Sequence, residues 1–117
     1  MLSKSTLRTA ILILTLATSL IHFALNVTMG RFDPVFTANA LGYLALGAAF
    51  IFPFSFLKGR EKLVHIVFMV YTTITILAWV ALGEKNIATT QGMLGYADKL
   101  VEVLLLLALY RHGPNNA

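Results

Sequence analysis

The chain has 117 residues, 58% of them hydrophobic and 12% charged, with a net charge of +4 and no cysteine. A soluble domain carries about 25% charged residues, so there is too little charge here to cover a water-facing surface, and the composition is that of a membrane protein. The missing thiols exclude disulfides, thiolate metal sites and cysteine nucleophiles. No Lys/Arg run of the kind that grips nucleic acid is present, and the basic residues sit at the ends of apolar segments, where lipid headgroups and topology account for them.

The first apolar segment, Thr9 to Gly30, holds no Asp, Glu, Lys or Arg and follows Lys4 and Arg8. A secretory signal with a small-residue cleavage site at Ala17-Thr18-Ser19 is one reading of it. The apolar stretch continues from Ile21 to Val27, longer than a signal core, so a retained spanning helix over about 8–30 is expected. Thr15, Thr18, His22 and Asn26 fall at spacings of three and four and share a face. Unpaired polar groups are costly in hydrocarbon, so this stripe should point into a bundle.

Asp33-Pro34 opens the second helix, expected over about 35–57, with Pro near its first position and Asp33 or Thr37 as the cap. Ala38, Gly42, Ala45 and Ala49 form a small-residue face of the kind that lets backbones approach in a bilayer. Asn39 and Tyr43 lie one turn apart near its start. Pro53 removes the bond to the Ala49 carbonyl, which predicts a kink. Gly59 breaks the KGREK connection, and a third helix is expected over about 62–83. His65, Thr72, Trp79 and Gly83 lie along one line of it, and Trp79 reads as an interfacial anchor, with a pocket wall as the alternative.

The fourth helix, about 93–111, spans a membrane only if Asp98, Lys99 and Glu102 are accepted within it. A bilayer crossing takes about 20 residues, so all four segments have the length. The expected fold is an all-α integral membrane bundle of four antiparallel transmembrane helices, one domain over residues 1–117. Lys4, Arg8, Lys58, Arg60, Lys62 and Arg111 lie on one side and Arg31, Lys85 and Lys99 on the other. The positive-inside rule then puts both termini in the cytoplasm of a multi-pass plasma-membrane protein.

Depth brings the polar residues together. His22 lies roughly 13 Å below Arg31, and Glu102 roughly 13 Å from Arg111, near mid-membrane. Asp98 is one turn further out on the face of Glu102. His22, Asn26, Asn39, Tyr43, Asp98 and Glu102 therefore converge in the outward half, with Glu102 as a titrating floor. A carboxylate at the centre of a spanning helix costs about 2.5–3.5 kcal/mol and is a functional-site candidate by default. Glu102 has two available partners: Lys99 three residues before it on the same helix, or His22 across the bundle.

Other chemistry is weaker. Haem would need two imidazoles at matched depth, and His65 and His112 read as solvated or interfacial groups at the cytoplasmic end. Zinc wants three or four ligands, and His22, Asp98 and Glu102 supply three only if the first and fourth helices touch. No nucleophile elbow, phosphate loop or HExxH pair occurs. No catalytic residue, metal or cofactor is assigned, and a non-enzymatic role is favoured. The expected function is an outward-facing polar pocket for a small ligand or cation. The alternatives are an accessory or scaffolding subunit of a larger membrane complex, and a small proton-coupled transporter acting as a dimer. The expected partners are the lipid bilayer and a second copy or a larger membrane complex, not nucleic acid.

Overall fold

Helix starts in this chain are set by side chains that accept from the first free amides. In the computed structural model, which describes residues 3–30, 33–52, 54–83 and 85–114, α1 (Lys4–Met29) begins on Ser3, whose hydroxyl accepts from the Thr6 amide at 3.1 Å. Asp33 accepts from the Val35 and Phe36 amides at the head of α2 (Pro34–Ile51), with Pro34 in the first turn. After a short 3-10 turn (Ser55–Leu57), α3 (Glu61–Leu82) starts without a side-chain cap. Thr89 caps α4 (Thr90–His112) by accepting from Gly92 at 2.9 Å. Gly30, at φ 66°, closes α1 and returns its amide to the carbonyls of Asn26 and Val27, a left-handed position that glycine adopts without strain.

The second helix stops at Ile51 rather than running to residue 57. Phe52 is extended, at φ −92° and ψ 143°, as the residue before a proline is driven to be. The kink expected at Pro53 is thus a stop, although Pro53 itself lies outside the described residues, as does Arg31 of the charge comparison. The first and fourth helices begin earlier than expected, because Ser3 and Thr89, not the last charged residue of each connection, define their starts.

Among the described residues, α1, α2 and α3 are each long and apolar enough to cross a membrane. Helix α4, with 23 residues, is about 35 Å long but carries Asp98, Lys99 and Glu102 around its middle. Its faces are segregated: Leu100, Val103, Leu104 and Leu107 are exposed, whereas Asp98, Glu102, Leu105 and Leu109 are buried. Helix α1 does the same, exposing Ile13, Leu16 and Leu20 while burying Thr15, Thr18, Ser19 and His22. A water-soluble bundle does the reverse, burying its apolar stripe. Large apolar side chains outside and hydrogen-bonded polar ones inside are what a hydrocarbon surround selects.

Helices α2 and α4 each pack against both α1 and α3, with the closest associations at α1–α4 and α1–α2. At the second of these, the Ser19 hydroxyl donates to the Ala40 carbonyl at 3.0 Å. A Cβ added at Gly47 would lie 2.8 Å from Thr15 Cγ2. The buried face of α2 is Ala40, Tyr43, Gly47 and Phe50. Of the small-residue face expected from spacing, Ala38 and Ala45 are exposed and Ala49 is half-buried, while Gly42 leaves room for the Tyr71 ring. The large rings of Tyr43 and Phe50 decide which way α2 turns, since they bury most surface, and the glycine and alanine that matter are those sharing their face.

Tyr43, Phe50 and Phe68 continue the core with Leu7, Ile11, Leu105 and Leu109. His65 and His112 are buried rather than solvated. His65 Nε2 donates to the Leu109 carbonyl at 2.7 Å and His112 Nδ1 to that of Gly113 at 2.7 Å. The Phe50 ring packs against both imidazoles, at centroid distances of 6.2 and 5.2 Å. Each imidazole has one nitrogen satisfied by a carbonyl and a face to pack, while His112 Nε2 is buried without a hydrogen-bond partner among the described residues.

Candidate functional site

Asp98 and Glu102 stand one turn apart on α4, so both project from one face. That face meets α1, and the two carboxylates are 1% and 0% exposed. Glu102 accepts the Tyr43 hydroxyl of α2 on Oε2 at 2.5 Å and the Lys99 ammonium on Oε1. Asp98 accepts the Thr18 hydroxyl of α1 on Oδ1 at 2.5 Å and Lys99 on Oδ2 at 3.2 Å. Thr18 Oγ1 is also 3.4 Å from Glu102 Oε2. A hydroxyl has one hydrogen to give, and the shorter contact assigns it to Asp98.

His22 completes the group, with Nε2 3.5 Å from Asp98 Oδ2. Its other nitrogen, Nδ1, lies 2.8 Å from the Thr18 carbonyl oxygen. A carbonyl only accepts, so Nδ1 carries the hydrogen and, in the neutral ring, Nε2 carries the lone pair. That lone pair faces a carboxylate. Tyr43 stacks obliquely on the His22 ring at 5.8 Å and meets Tyr71 of α3 edge-on at 4.9 Å. One ligand atom from each of His22, Asp98 and Glu102 falls within 4.8 Å of the others. Two carboxylates against one ammonium leave the group with a single uncompensated negative charge while His22 is neutral.

The cluster forms one end of a cavity of about 250 Å³ that all four helices line. His22, Asn39, Asp98 and Lys99 supply its polar part, and Leu25, Phe36, Ala78, Trp79 and Leu82 its apolar wall. It extends to Val35, Gly83 and Gln91, at the end of the bundle where α1 gives way to α2 and α3 to α4. Trp79 is a cavity wall, held edge-on by Tyr96 at 5.0 Å and covered by the Lys85 ammonium at 5.1 Å. Asn39 Oδ1 is buried and has no hydrogen-bond partner among the described residues.

Of the residues singled out from sequence, His22, Tyr43, Asp98, Glu102 and Lys99 meet in one network. Asn39 reaches the same cavity but bonds to none of them; its backbone carbonyl accepts the Tyr71 hydroxyl at 2.9 Å. Asn26 is elsewhere: its side chain donates to Thr37 Oγ1 and accepts the Asp33 amide, both at 2.8 Å, tying the end of α1 to the start of α2. The two partners considered for Glu102 are not exclusive, because Lys99 pairs with it while its carboxylate faces the bundle interior beside His22. Thr18 is the residue that sequence reasoning left out of the site. Its signal was its place one turn before His22 on the polar stripe of the first helix.

No protein-family model, curated protein or solved structure matches this chain.

Proposed function

We propose that this is a non-enzymatic, multi-pass plasma-membrane protein, an antiparallel four-helix bundle with cytoplasmic termini. Its outward-facing cavity binds a small, positively charged ligand. One observation carries the reading: two fully buried carboxylates share a single ammonium at the inner end of a cavity that reaches the end of the bundle. Buried charge is tolerated when compensated, and with His22 neutral the remaining negative charge is a place for a cation. The aromatic wall suits the same ligand, since an indole face attracts a cation within about 6 Å, as Trp79 already does the Lys85 ammonium.

Trp79 is the sole tryptophan and lines the cavity, so its fluorescence reports occupancy directly. Titration of the detergent-solubilised protein with methylammonium or tetramethylammonium is expected to change the Trp79 emission saturably. Glu102→Gln leaves Lys99 to neutralise Asp98 alone, removes the surplus negative charge and is expected to abolish that response. Saturation at the wild-type concentration in the Gln variant sinks the reading.

A further inference from the structure

We infer that His22, Asp98 and Glu102 form a binding site for a divalent transition-metal ion, with the Lys99 ammonium as a tethered stand-in that the metal displaces. The inference rests on the cation-binding reading above and narrows the cation to a metal. Each of the three side chains is held from its far side, which leaves its near atom directed at a common point. His22 Nδ1 is committed to the Thr18 carbonyl, leaving Nε2. Asp98 Oδ1 is committed to the Thr18 hydroxyl, leaving Oδ2. Glu102 Oε2 is committed to the Tyr43 hydroxyl, leaving Oε1. The two remaining oxygens both hold Lys99 Nζ, and His22 Nε2 lies 3.5 Å from one of them. An ion bound by all three would take over the carboxylate oxygens that the ammonium now holds.

This is the arrangement that metal-ligating side chains need. A ligand histidine donates its other ring nitrogen to a carbonyl or carboxylate, and ligand carboxylates are themselves hydrogen-bonded. Bonds of 2.0–2.2 Å in tetrahedral geometry place ligand atoms about 3.4 Å apart. His22 Nε2 and Asp98 Oδ2 are already 3.5 Å apart, and the three-way spread within 4.8 Å closes with side-chain rotation. One imidazole and two carboxylates, without a thiolate, suit Zn²⁺, Mn²⁺, Fe²⁺, Co²⁺ or Ni²⁺ rather than Cu⁺.

Charge selects a divalent ion. Two carboxylates at this depth require two positive charges for neutrality, and Lys99 provides one. A dication supplies both once Lys99 has moved away, and it also takes the lone pair of His22 Nε2 as a ligand. Three protein ligands leave a fourth position open toward the cavity, as in metal sites that exchange or transform what they bind. The displaced Lys99, on a flexible four-carbon stem, moves into the cavity it already lines, where the buried Asn39 Oδ1 is an unpartnered acceptor.

The test uses tag-free full-length protein in mild detergent with Co²⁺, whose visible absorption reports its ligands. Wild-type protein is expected to give a saturable band. Lys99→Met removes the competing charge and is expected to tighten Co²⁺ binding by roughly tenfold or more. His22→Gln is expected to abolish the band. Thr18→Val, which removes the hydroxyl behind Asp98, is expected to weaken binding roughly 10–100-fold. Absence of saturable Co²⁺ binding in both wild type and Lys99→Met overturns the metal site, as does an unchanged band in His22→Gln. If tetramethylammonium still alters Trp79 emission in that case, only the metal inference falls; if Co²⁺ binds and ammonium ions do not, only the organic-cation reading falls.

Discussion

Thr18 contributes two groups to the site, and they do different work. Its carbonyl fixes which nitrogen of His22 carries the hydrogen, and its hydroxyl neutralises one lone pair of Asp98. Thr18→Val keeps the shape and the carbonyl but leaves a buried carboxylate oxygen without its donor, at a cost of about 1–3 kcal/mol. A lower thermal midpoint in Thr18→Val, recovered in Thr18→Ser, is the expected outcome; equal midpoints in all three proteins would remove Thr18 from the network. The residues of the cluster were legible because carboxylates in an apolar helix stand out, and an imidazole on a polar stripe at matching depth is their natural partner. Asn26 was not, because an amide that both donates and accepts serves a helix connection as readily as a pocket. Depth and facing alone do not separate those two uses.

At the level of elements, small residues decide how close the helices come, and only those on the right face count. Gly47 lies under the Thr15 methyl, and Thr15 is held in place by its own hydroxyl on the Ile11 carbonyl at 2.6 Å. Gly47→Ala therefore forces α1 and α2 apart, for about 1–3 kcal/mol by analogy with overpacked cores. Thr15→Ser removes the methyl and retains the hydroxyl, so the double variant is expected to regain most of the loss in a thermal-unfolding cycle. Additive losses would show that the two residues do not touch. Helix existence was legible from unbroken apolar runs; the ends were not, since Ser3 and Thr89 act through single side-chain bonds that no periodicity records. The facing of α2 was likewise hidden, because small residues at helical spacing occur on two of its faces, Ala38, Gly42, Ala45 and Ala49 on one and Ala40 and Gly47 on the other, and the aromatic rings choose between them.

For the whole molecule, the segregation of polar groups inward and apolar groups outward suits a bilayer, and the basic residues are the basis of the direction we propose for it. A chain without cysteines allows that direction to be read one residue at a time. Ala88→Cys, in the connection between α3 and α4, is expected to react with a membrane-impermeant maleimide in intact cells, and Ser55→Cys only after permeabilisation; both positions are exposed. The reverse pattern would invert the proposed topology and place the cavity on the cytoplasmic side. Which helices neighbour one another could not be read from hydrophobicity, since lipid and leucine are equally apolar; the buried hydrogen bonds from Thr18 to Asp98 and from Tyr43 to Glu102 tie α4 to α1 and α2. Those same bonds impose an order in time. The ribosome makes α4 after α1, α2 and α3, and α4 is the helix whose charges most need company. Lys99 accompanies Asp98 and Glu102 from the moment of synthesis, a chaperone of their own strand, while the hydroxyls of Thr18 and Tyr43 wait on helices already laid down. Helix α4 is thus received by a template that the three before it have built.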